Sequence, residues 1–346
     1  MKRLGAEMVQ LRRIVLYALV AATLGHVAAR LRADVDTTVS RVEGGRYAET
    51  PLQMTWIGWR AIVARSIANA INDRIMTVAA SVAFYALLSL VPGLSVLITI
   101  YGLFVTPSSI PGQIAALTNF FPDAAKSLIQ EQAIRLTSQP AGSLSVTLLI
   151  SLAIAAWSAN AAIKAIFEAL NIMWGRVDTR SFLRLNLETL LFTFVGILLL
   201  MLVLIAMADI PGYLSFLPID ANLQATIALI RWPLVYVAGL AAIVMVYRRG
   251  PCRTPPGVVW SLPGAIFASL IWGGASVLFS WYVSTLARYS ATYGSLAAVV
   301  VTMTWLWLSA IILLAGAELN AQIESQIDHD EESAPANSAA FGAVSR

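Results

Sequence analysis

The sequence predicts an all-α fold: a polytopic integral membrane protein with six transmembrane helices, N-in and C-in, accompanied by amphipathic surface helices. Three observations predict it. Hydrophobic residues make up 58% of the 346-residue chain and charged residues only 12%, with a mean hydropathy of +0.75. A soluble domain carries about 25% charged residues, so much of this surface must face lipid rather than water. Six segments reach the roughly 20 apolar residues that a bilayer crossing needs. The arginines alternate between the loops, as the positive-inside rule requires.

The first 50 residues form a separate N-terminal segment. Within them "IVLYALVAATLGHVAA" (14–29) is apolar but short, with Arg12 and Arg13 before it and Arg30 and Arg32 after it. An interfacial helix with snorkelling arginines fits this pattern. A short extra span is the alternative, but it would export Lys2, Arg3, Arg12 and Arg13. A cleaved signal peptide would place Arg60, Arg65 and Arg74 outside, and "GHVAARL" is a poor cleavage site. A later start near Met54 would remove the segment altogether.

The membrane domain is expected over 51–325. It opens with "WIGWRAIVARSIANAINDR" (56–74), a surface helix in which Ile62, Val63, Ile67, Ala70 and Ile71 repeat at helical spacing. Trp56 and Trp59 suit the headgroup level. The expected spans are 78–105, 144–170, 186–208, 226–247, 257–286 and 294–318. Between the first two, "FFPDAAKSLIQEQAIRL" reads as an amphipathic lid on the outer leaflet, starting at Pro122 and Asp123. The loops expected inside hold Arg60, Arg65, Arg74, Arg176, Arg180, Arg184, Arg248, Arg249 and Arg253. Those expected outside hold only Lys126, Arg135 and Arg288. The remainder, 326–346, is acidic, rich in small residues and expected to be a disordered cytoplasmic tail.

An ionisable group inside a span is costly against lipid and marks a functional candidate. The topology places Asn160, Lys164, Glu168 and Asn171 in the cytoplasmic half of the second span. Glu188, near Asn186, falls at that level in the third, and Glu318 and Asn320 fall there in the sixth. Lys164 and Glu168 are four apart and can pair on one helix face. These seven residues are the candidate polar vestibule, or equally a lock that holds helices together. Arg231, near the outer end of the fourth span, is the candidate outer anion contact, or an arginine that snorkels to headgroups. Pro92 and Pro263 are candidate helix breaks. On the last span Trp305, Ser309, Ile312 and Gly316 share one stripe, and Gly316 allows close helix approach.

Several function classes are excluded. Cys252 is the only cysteine, and His26 and His329 lie near opposite ends of the chain, so no Cys/His metal spacing exists. No Ser/His or paired-Asp constellation lies in the spans, so no catalytic residue, metal or cofactor is expected. There is no phosphate-binding G-x-x-x-x-G-K-[ST] loop and no basic stripe for nucleic acid. The expected partners are membrane lipids and a small-molecule or lipid substrate of unidentified chemistry. A homo-oligomer is compatible with the sequence.

Three motifs carry a family resemblance: "AASVAFYALLSLVPGL" (79–94), "WSANAAIKAIFEALNIMW" (157–174), and a C-terminal series of "VYRRGP" (246–251), "PGAIFASLIWGGASVLFSWYVS" (263–284) and "YSATYGSLAAVVVTMTWLWLSAIILLAGAELNAQIE" (289–324). Over 55–325 the chain resembles the YihY/BrkB family of bacterial inner-membrane proteins. Tyr293, Gly294, Trp305, Gly316, Glu318 and Asn320 match the most specific motif. The resemblance implies a six-helix protein of the bacterial plasma membrane, in a family whose members are described as transporters, some linked to virulence or serum resistance, with no settled substrate. The family has also carried a ribonuclease BN label, which two distant histidines do not support. The expected function is a transporter or flippase of an amphiphilic or lipid-like anion. A non-transporting scaffold or envelope-integrity protein is the alternative.

Overall fold

The computed structural model describes residues 50–101, 146–206, 221–285 and 296–332. After a 3-10 turn at Pro51–Gln53, seven α-helices follow: α1 Trp56–Asn72, α2 Ile75–Tyr101, α3 Val146–Met173, α4 Phe182–Leu204, α5 Ala221–Arg249, α6 Val258–Thr285 and α7 Leu296–Glu332. No strand occurs among the described residues. Helices α2 to α7 are each long and apolar enough to cross a membrane, in agreement with the six expected spans. The N-terminal segment 14–29, the lid of 110–138 and the end of the tail lie outside the described residues.

The chain forms two compact units, Met1–Asp73 with Glu318–Arg346, and Arg74–Ala317. In the smaller unit, Thr55 caps α1 by accepting a hydrogen bond from the Gly58 N–H at 3.2 Å. Gly58, Ala61, Ile62, Ala64 and Ala68 are buried, whereas Trp56, Ile57, Val63, Ile67 and Ile71 are exposed. Small side chains and Ile62 form the packed face, and most of the expected apolar stripe stays free. Helix α7 also runs beyond the expected end of its span and enters the segment read as a disordered tail, remaining helical to Glu332. Its Gln326 accepts a hydrogen bond from the Arg65 guanidinium at 2.6 Å.

In the larger unit, α2 packs on α3 where Ser89 donates to the Ser158 carbonyl at 3.1 Å. A Cβ on Gly93 would meet Ala159 at 3.8 Å. α3 ends on Gly175 in the left-handed region (φ 58). The Arg176 N–H then returns to the Asn171 carbonyl at 2.8 Å and the Gly175 N–H to Ile172 at 2.9 Å, a Schellman closure. Ser181 caps α4. Phe167 and Phe192 join α3 to α4 edge to face, with centroids 5.1 Å apart.

The stripe of Trp305, Ser309, Ile312 and Gly316 on α7 meets α6 as its spacing suggests. Trp272 donates to Ser309 at 2.9 Å. A Cβ on Gly316 would lie 2.5 Å from the Gly264 carbonyl and 2.6 Å from the Tyr247 hydroxyl. α2 and α6 run through Pro92 and Pro263 without interruption. Each proline still leaves the carbonyl four residues earlier without its helical donor.

Candidate functional site

The polar residues of the larger unit gather in two places. The first is at the loop end, where α3 leads into α4 and α5 into α6. Its centre is Arg180, a residue the sequence reading treats only as a topology marker. The Arg180 side chain is 6% exposed. Its Nε donates to Asp178 Oδ1 at 3.0 Å and Nη1 to Glu188 Oε2 at 2.9 Å. Nη1 also reaches the Arg249 carbonyl at 3.5 Å, and Nη2 donates to the Gly250 carbonyl. The guanidinium lies 5.3 Å from the Phe167 ring centroid. Two carboxylates and two helix-end carbonyls therefore surround one buried cation, the arrangement that a planar, five-donor group suits.

Asn171 extends this node. Its amide donates to Asp178 Oδ2 at 3.1 Å, and its carbonyl oxygen accepts from the Cys252 N–H at 2.7 Å. Glu188 also receives Arg184 Nε at 2.8 Å. Arg253 stacks 4.8 Å from the Trp174 ring centroid. Gly250 must be glycine, because a Cβ there would lie 2.5 Å from Leu170 and 2.7 Å from the Val246 carbonyl.

The electrostatics follow from these contacts. Burial raises the proton affinity of Asp178, but the hydrogen bonds and charge of Arg180 and the hydrogen bond from Asn171 outweigh it. The carboxyl is held below its usual range. Burial opposes the charge on Arg180, and Glu188 and Asp178 outweigh that in turn, so its pKa is raised. The Thr179 hydroxyl and backbone lower the Cys252 thiol against the opposing effect of burial, and Arg180 adds to the lowering.

The second gathering lies deeper, between α3 and α4. Asn160 is completely buried, and its carbonyl oxygen accepts from the Thr193 hydroxyl at 3.1 Å. Its amide nitrogen has no hydrogen-bond partner. One turn on, Lys164 places its ammonium 4.7 Å from the Trp157 ring centroid. The expected Lys164–Glu168 pair is not formed: Glu168 is exposed, and neither residue has an ion-pair partner among the described residues.

Glu318 and Asn320 belong to the smaller unit, and both are buried. Gln322 donates to Glu318 Oε1 at 2.9 Å, while Oε2 has no hydrogen-bond partner. Asn69 and Asp73 flank the carboxyl. Desolvation raises the Asp73 pKa. Arg231 is part of α5, but its side chain lies outside the described residues. Of the candidates in the larger unit, Asn171 and Glu188 meet through Asp178 and Arg180, whereas Asn160 and Lys164 form a separate stretch of α3.

The virulence factor BrkB family model matches residues 66–340. The chain belongs to that family. Relatives of the BrkB chain include a ribonuclease-like protein, YfkH, of Bacillus subtilis, 31% identical over 71% of this chain and 89% of its own. A UPF0761 membrane protein of Pseudoalteromonas atlantica is 28% identical over 82% of this chain and 96% of its own. Another, from Alkalilimnicola ehrlichii, is 28% identical over 73% of this chain, which spans only 56% of that relative. No solved structure matches.

Proposed function

We propose that this BrkB-family protein is a plasma-membrane transporter or flippase for an amphiphilic, lipid-like anion. One observation carries the reading. Among the described residues, Lys164, inside the span Ala153–Met173, has a cation–π partner but no carboxylate, and the buried Asn160 amide one turn away has no acceptor. Two donors without an acceptor inside an apolar span suit an anionic head group. Trp157 and Ile154, both exposed on the same helix, suit its apolar part. The name of YfkH speaks for YfkH; among the described residues no group of three or more His, Cys, Asp or Glu could hold a metal ion.

Native mass spectrometry in mild detergent, wild type beside Lys164→Gln, tests the proposal. An acidic lipid or metabolite bound to wild type and lost from an equally stable variant is the expected result. Equal occupancy in the two proteins, or no ligand in either, overturns it.

A scaffold without transport is the second reading, favoured by the saturation of the Arg180 node, in which every strong acceptor is already engaged. Under that reading Glu318→Gln lowers stability and changes nothing else.

A further inference from the structure

The loop end of the larger unit carries more positive charge than its own acids answer. Asp178 and Glu188 are both committed, to Arg180 and to Arg180 with Arg184. Arg253 is turned onto Trp174, and Arg248 donates to the Pro256 carbonyl. Arg176 and Arg249 remain. Both are exposed, and neither guanidinium has a hydrogen-bond or ion-pair partner among the described residues. Their segments meet at Asn171, whose backbone carbonyl accepts the Arg176 N–H at 2.8 Å and whose side-chain oxygen accepts the N–H of Cys252, three residues after Arg249, at 2.7 Å.

This rim is apolar in an unusual way. Val177 is 83% exposed, Phe182 71%, Leu183 79% and Leu187 71%. Leu183 and Leu187 share one face of the first turns of α4, a membrane-spanning helix. Water would penalise such a surface, and acyl chains would not. The start of α4 adds the positive end of its dipole.

We propose that this rim is a binding site for an anionic phospholipid of the adjacent leaflet. The phosphate is held between Arg176 and Arg249, and the acyl chains lie on Phe182, Leu183 and Leu187. Charge complementarity selects the lipid: a zwitterionic head group brings its own cation to a place that already has two without counter-charge. The site does not depend on the transport reading and involves neither Lys164 nor Asn160. It fixes the loop end to the membrane surface whatever the cargo.

The test uses the full chain reconstituted with equal amounts of phosphatidylglycerol and phosphatidylcholine, then extracted mildly, with retained lipid counted by native mass spectrometry. Each juxtamembrane arginine contributes about fivefold in binding. Wild type is therefore expected to retain phosphatidylglycerol over phosphatidylcholine on the order of 25-fold. The preference is expected to fall to parity in Arg176→Gln/Arg249→Gln, to persist in Arg176→Lys/Arg249→Lys, and to be unchanged in Arg60→Gln, an exposed arginine of α1. No preference in wild type overturns the site without reference to any variant. A preference that survives the double Gln substitution overturns it as well. Displacement of the lipid by excess inorganic phosphate would mark the rim as a free-anion site and overturn the lipid assignment.

Discussion

Arg180 holds the loop end together because no smaller cation could reach all of its acceptors. Its fork meets Asp178 of the α3–α4 loop, Glu188 of α4, and the Arg249 and Gly250 carbonyls at the end of α5. Replacing it takes the cation from Asp178 and leaves Glu188 with Arg184 alone. Arg180→Gln is expected to cost on the order of 3 kcal/mol, read as a loss of thermal stability in detergent at neutral pH. The acid dependence has a definite sign. Asp178 has a folded pKa below its unfolded value, so its contribution is fully present above the unfolded carboxylate pKa, about 3.9, and is lost as pH falls through the lower, folded value. Wild type is expected to melt above Asp178→Asn at neutral pH, and the gap to close in strong acid. A gap that stays constant with pH would assign the effect to packing. The sequence singled out Asn171 and Glu188 but not the role of Arg180. Loop arginines carry topological meaning, which masks any local role, and the carbonyls that complete this site sit some 70 positions further along.

At the scale of elements, glycine sets two distances. Gly250 lets the α5–α6 loop lie against Leu170, and Gly316 lets α7 lie against the Gly264 carbonyl and Ala268. The backbone and helix-borne atoms there have little room to yield. Gly316→Ala and Gly250→Ala are each expected to destabilise by about 1–3 kcal/mol, measured by thermal unfolding. Gly273→Ala, where an added Cβ meets nothing within 4 Å, is the neutral comparison. The Gly316 contact was legible, because the small and polar residues of α7 recur at helical spacing. The packed face of α1 was not. Its alanines and its bulky aliphatics follow the same period on neighbouring arcs, and the packed arc takes Gly58, the alanines and Ile62.

For the whole molecule, the six spans were legible from apolar length alone, since lipid leaves the backbone no alternative to helix. The direction of the chain is testable with its single cysteine. Cys252 is partly exposed, in the α5–α6 loop that the arginine count places in the cytoplasm. A membrane-impermeant maleimide is expected to label it in inside-out vesicles and not in intact spheroplasts; the reverse pattern would invert the topology. Lys164 shows the opposite kind of limit. Its position in a span was evident, but its partner was misjudged, because an i,i+4 carboxylate competes poorly in this geometry with the face of an indole.

The Arg180 node also bears on how the chain is made. While α3 and α4 enter the membrane, the Arg249 and Gly250 carbonyls and the Cys252 N–H have not yet been synthesised. Arg180 has only its carboxylates then, and the Asn171 side-chain oxygen has no Cys252 N–H to receive. The first hairpin is completed by residues from the second. A nascent chain stalled before Arg249 is thus an unfinished joint, and halves of the protein expressed apart need each other to mature.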